Sequence, residues 1–147
     1  MLATLLATAA CTFAAHGQLP DRGCTPGDFY DQVTNANVAQ TICRRGWATE
    51  HRDVSSSLRA SIYEAYGVKP PHPFPEWEMD HLIPLELGGS NARRNLWPEH
   101  NPARKDDIED ALHARVCAGR MRVTTAWRIF SVDWRRGQRY LPREPGR

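Results

Sequence analysis

Between Glu78 and Asp106 the chain reads EMDHLIPLELGGSNARRNLWPEHNPARKD, and this stretch leaves little choice of fold. Met79, Leu82, Ile83 and Leu85 predict an extended segment interrupted by Pro84, so an edge or hairpin strand. Gly88-Gly89-Ser90-Asn91 supplies a turn with residues that tolerate positive φ. Asn95-Leu96-Trp97 then reads as a short return strand, ended by Pro98. Asn101 and Pro102 suit the N-cap and first position of a helix. Asp106, Asp107, Glu109 and Asp110 load its first turns with the charge that the helix dipole favours there. Ile108, Ala111, Leu112 and Val116 form its apolar stripe, and Gly119 closes it. The expectation is a β-hairpin followed by a helix.

The flanking sequence adds helices. In residues 55–66, a serine cap precedes Leu58, Ile62 and Tyr66 at fourfold spacing, and Gly67 stops the run. Residues 69–75 carry four prolines and read as an extended connector. Cys24–Trp47 reads as loops with one short strand. A last helix from Thr124 to Trp134 buries Ala126, Ile129, Phe130 and Trp134. With 147 residues, one α+β domain is expected over 16–147. Its motif core is 78–118, and a basic helix and tail occupy 120–147.

Residues 1–15, ending in Phe13-Ala14-Ala15, resemble the apolar core and small-residue cleavage site of a signal peptide. They are too short for a membrane-spanning helix, which needs roughly 20 apolar residues. A secreted or periplasmic protein is expected, with no membrane span. Removing residues 1–15 would leave Cys24, Cys43 and Cys117. Cys24 and Cys43 are close enough in sequence to bridge, with Cys117 an alternative partner for either. Residues 111–147 hold nine arginines against two carboxylates, which suits a polyanionic partner.

The central polar residues suggest hydrolysis. Asp80 from the hairpin and Asn101 from the helix start offer a carboxylate and an amide oxygen, a reasonable set for Mg²⁺, which retains several waters. A neutral His81 beside them would serve as a general base.

Asp80-His81, Ile83-Pro84-Leu85, Gly88-Gly89-Ser90-Asn91, Asn95-Leu96, and Asn101 with Lys105 together resemble the HNH nucleases, the ββα-metal family. The likeness spans residues 78–110. It implies a ββα-metal core and a metal-dependent endonuclease of low sequence specificity, acting on DNA or also RNA. In that reading His81 is the general base and Asn95 braces the loop that holds it. Asp80 and Asn101 would bind one divalent metal, Mg²⁺ or else Mn²⁺, with His100 the alternative to Asn101. The zinc-binding cysteine pairs that brace many members are absent. Arg93, Arg94, Arg104 and Lys105 flank the site and are expected to contact phosphates, positioning the strand without reading its sequence. Two alternatives differ in class: a non-catalytic exported domain that binds nucleic acid or another polyanion, and a secreted antibacterial nuclease with an immunity protein as partner.

Overall fold

The computed structural model describes residues 11–142. It is a small α+β fold, with four helices and one two-stranded antiparallel sheet among the described residues. In chain order these are α1 (Trp47–His51), α2 (Ser56–Ala65), β1 (Trp77–His81), β2 (Leu96–His100), α3 (Ala103–Cys117) and α4 (Val123–Asp133). Short 3₁₀ turns occupy Leu85–Leu87, Arg93–Asn95 and Trp134–Tyr140.

The hairpin register pairs Trp77 with His100, Met79 with Pro98 and His81 with Leu96. β2 therefore runs on through Pro98 to His100, three residues past Trp97. The amide of Asn101 bonds to Glu76 O and that of Leu82 to Asn95 O, which places Met79–Pro98 at a pair that exchanges no hydrogen bonds. Proline costs the ladder nothing there. β1 stops at His81, earlier than Leu85, because the Ile83 backbone bonds to the Asn95 side chain instead of a strand.

α2 forms where its pattern indicates, with Ser55 Oγ accepting from the Leu58 amide. α3 starts at Ala103 behind Pro102, and Asn101 is not its cap. Asn101 sits at φ 56°, and its side chain turns to His100 Nδ1. Cys24–Trp47 contains no strand; a single bridge joins Phe29 to Gly89.

The core gathers Leu87, Leu96 and Trp97 with Ile108, Leu112 and Val116 of α3 and Ala126 and Phe130 of α4, each at most 2% exposed. Each large aliphatic side chain buried there contributes about 1.5–3 kcal/mol. Trp127 Nε1 donates to Leu87 O at 2.6 Å and ties α4 to the loop between the strands. Gly137 lets the last 3₁₀ turn press onto α3, since a Cβ there would lie 2.3 Å from Ile108 Cγ2.

Two disulfides, Cys11–Cys24 and Cys43–Cys117, replace the expected Cys24–Cys43 bridge; Cys117 is the partner of Cys43. They are compatible with an extracellular or periplasmic protein. Cys11 is buried, and Phe13 packs on Tyr66, Trp77 and Trp97. The rest of the expected signal segment, residues 1–10, and Arg143 lie outside the described residues. Among the described residues no helix is long and apolar enough to cross a membrane.

Candidate functional site

The loop from Leu82 to Asn95 is closed by one side chain. Asn95 is fully buried, and its Oδ1 accepts from the Ile83 amide at 2.9 Å and the Asp28 amide at 3.2 Å. Its Nδ2 donates to Ile83 O and Ser90 O, both at 2.9 Å. All four amide valences are thus filled. Gly89 lies against this closure, where a Cβ would sit 1.7 Å from Ile83 O.

This bracing presents His81, the last residue of β1. His81 is 6% exposed, and its Nε2 lies 2.8 Å from Asn91 Oδ1. Asn91 Nδ2 donates to His51 O at 2.7 Å, which sets the amide's orientation. Its oxygen therefore faces the imidazole, and His81 Nε2 carries the proton. Nδ1 keeps its lone pair, as a general base requires. Burial pushes His81 below its ordinary pKa, against the opposing effects of Asn91 and Asp80, so the ring is neutral near pH 7.

His81 lines a cavity of about 60 Å³ with Arg52, Glu78, Asp80, Asp106 and Glu109. Behind it lies a buried polar cluster built around Lys105. The Lys105 side chain has no exposure, and its Nζ stands 2.5 Å from Asp80 Oδ2 and 3.0 Å from His81 O, and pairs with Glu109 Oε1. Glu99, 2% exposed, lies beside Asp80 and can donate to it once protonated. Burial works against the charge on Lys105, but Asp80, Glu109 and Glu99 outweigh it and hold the ammonium protonated. Burial would raise the Asp80 carboxyl, yet Lys105 and the Glu99 hydrogen bond keep it low. Burial and the Asp80 charge push Glu99 up to about 11, so it is a neutral acid. Burial, partly offset by Lys105, pushes Glu109 up to about 8.

The expected site residues separate into groups. Asp80, His81 and Asn95 converge at one end of the hairpin. Asn101 does not join them: Asp80 pairs with Trp97, four residues earlier on β2, which is roughly 13 Å along a strand. With His100 and Arg104, Asn101 instead lines a cleft of about 450 Å³ at the other end, walled by Phe13, Trp77 and Trp134. Arg93 and Arg94 are exposed on the loop, Arg93 bonded to Ser61 Oγ and Arg94 3.6 Å from Asp28. Lys105, expected on the surface for phosphate, is inaccessible.

The metal set expected of Asp80 and Asn101 (or His100) therefore does not fit. Its members lie apart, and Asp80 is already neutralised by Lys105. Among the described residues the only group of three whose ligand atoms lie within 4.8 Å of one another is Cys43, His113 and Cys117, and a disulfide joins its two sulfurs.

Asn91, Glu99 and Glu109 are the contributors that sequence reasoning missed. Lys105 and Glu109 stand at the i, i+4 spacing of a helical ion pair, a readable signal. Asn91 showed only as a turn residue.

No family model, no curated protein and no solved structure matches the chain.

Proposed function

We propose that the chain is an exported phosphodiester hydrolase, a nuclease of low sequence specificity, with His81 as its general base. One observation carries the reading: the Asn91 amide, itself held by His51 O, pins His81 in the tautomer whose free Nδ1 can accept a proton. In the reaction Nδ1 takes a proton from water and the water oxygen bonds to phosphorus. The phosphorus–oxygen bond to the 3′ carbon breaks, and the leaving oxygen takes a proton from solvent. Arg52, exposed beside His81, is the cation within this cavity that can face the phosphate. Arg93 and Arg94 extend the positive rim along the loop, and DNA is the favoured substrate. A general base of this kind contributes on the order of 10²–10⁴-fold.

A second reading is a non-catalytic polyanion-binding domain. The carboxylates around His81 repel a phosphate, whereas Arg128, Arg136 and Arg139 share a separate groove on α4 and the following turn. Incubating the protein with plasmid DNA, beside His81→Ala, separates the two. Cleavage lost in His81→Ala supports the hydrolase; equal cleavage by both proteins rejects the assigned base. Salt-sensitive DNA binding without cleavage would establish the second reading.

A further inference from the structure

We propose that the cation organising the His81 site is the ammonium of Lys105, and that the folded site takes no divalent metal. The significance of this for hydrolysis rests on the nuclease reading above; the cation assignment itself rests on packing.

Three oxygens surround Nζ, two from the end of β1 (Asp80 Oδ2 and His81 O) and one from α3 (Glu109 Oε1). An ammonium has three protons and no acceptor capacity; His81 O and Glu109 Oε1 accept hydrogen bonds from it, and Asp80 Oδ2 stands in ion-pair contact. Mg²⁺ asks for something different: six oxygens at about 2.0–2.1 Å, several of them water. Lys105 has no exposed surface, so no water reaches the cation position itself, while Asp80 and Glu109 keep only 14% and 15% of their side-chain surface exposed. A metal would have to expel a lysine anchored on the same helix as Glu109, leaving the ammonium to find another place. The open face of Asp80, in turn, meets Glu78 and Asp106 only across a small cavity, and their ligand atoms do not gather as a preformed set.

The location gives the ammonium a positioning role. By holding His81 O and the Asp80 carboxylate together, Lys105 fixes the end of β1 from which the imidazole projects. A metal bridging Asp80 to a helix residue would do the same mechanical work. Here a side chain of α3 does it permanently, with no dependence on ion supply.

The chain has two lysines, and Lys69 is exposed, so the ammonium can be observed directly. In ¹⁵N-labelled full-length protein, one slowly exchanging lysine ammonium resonance is expected near neutral pH, unchanged by millimolar Mg²⁺. Its absence, or its loss when Mg²⁺ is added, overturns the proposal. Mn²⁺ titration followed by electron paramagnetic resonance should show no stoichiometric site in the wild type, and the thermal midpoint should agree in EDTA and in Mg²⁺. Lys105→Ala opens the space among Asp80, Glu99 and Glu109 and is expected to gain a Mn²⁺ site. One tight Mn²⁺ per wild-type chain, abolished by Asp80→Asn, would refute the assignment. The wild-type measurements decide the matter even where Lys105→Ala fails to fold. Plasmid cleavage separates the two readings. Cleavage only with metal, together with a Mn²⁺ site, defeats this proposal and leaves His81 as base. No cleavage under any condition, with the ammonium protected, defeats the nuclease reading and leaves the cation assignment standing.

Discussion

The two ends of the β1–β2 hairpin are built from the same polar vocabulary and do opposite things with it. At the His81 end, Asn95, His81, Lys105 and Glu99 are buried, Asp80 and Glu109 are partly buried, and the side chains contact one another closely. At the Asn101 end, residues of the same types line an open cleft walled by Phe13, Trp77 and Trp134, and Asn101 bonds only to its neighbour and to Glu76. The difference shows that proximity in sequence is not convergence in space. Asp80 and Asn101 straddle one strand length, and an antiparallel register holds that length open.

Substitutions at matched positions test this contrast, beginning with the largest effect. Asn95→Ala would orphan four backbone groups, three in buried hydrogen bonds and one part-buried, and at about 1–3 kcal/mol for each buried unsatisfied group it should cost more than about 3 kcal/mol. Urea unfolding measures it; a loss under about 1 kcal/mol would mean the loop closes by other means.

Next comes the imidazole. His81→Ala should lower plasmid cleavage on the order of 10²–10⁴-fold. Asn91→Ala should lower it less while moving the acid limb of the pH–rate profile, because Asn91 acts through His81. An unchanged limb would place Asn91 in a purely structural role.

The buried acids predict a smaller, pH-dependent effect. Glu109 is raised from 4.5 to about 8 in the fold, so its contribution is fully present below pH 4.5 and is lost as pH rises through about 8. Asp80 is lowered, so its contribution fades in the opposite direction, as pH falls below its ordinary 3.8. The thermal midpoint should therefore be higher at pH 5 than at pH 8.5, and Glu109→Gln should flatten that slope. A midpoint that rises across this interval would show that other groups govern the titration.

The smallest change belongs to the open end. Asn101→Gly removes a side chain whose one bond is to exposed His100, and glycine accepts φ 56° readily. Stability should move by less than about 1 kcal/mol and cleavage should be unaltered. A loss of cleavage comparable to that of His81→Ala would rejoin the two ends functionally.

Much of the scaffold was legible in the sequence. The serine cap and fourfold spacing located α2; the glycine turn and the Ile108–Val116 stripe located the hairpin and α3. These are local signals, carried by periodicity and turn chemistry. The burial of Lys105 was not legible, because a lysine beside arginine and acids reads as exposed and only the packing of α3 against β1 reveals that it is enclosed. Nor was the disulfide pairing, which spacing does not determine. The run of β2 through Pro98 depended on register, which decides whether a missing amide matters. Of the candidate site, the Asp80, His81 and Asn95 grouping was foreseeable from a motif. The separation of Asn101 follows from the antiparallel register, which the paired strands alone reveal.

The closure at Gly89 and Asn95 has a consequence for variation. In a saturation library these two positions should be nearly intolerant: one has no room for a methyl group, and the other has no spare valence. Arg93 and Arg94, exposed just before the Asn95 seal, should accept most replacements without loss of the fold. A loop locked at its seam and permissive along its rim is one onto which new recognition sequences can be written while the imidazole at its base stays where it is.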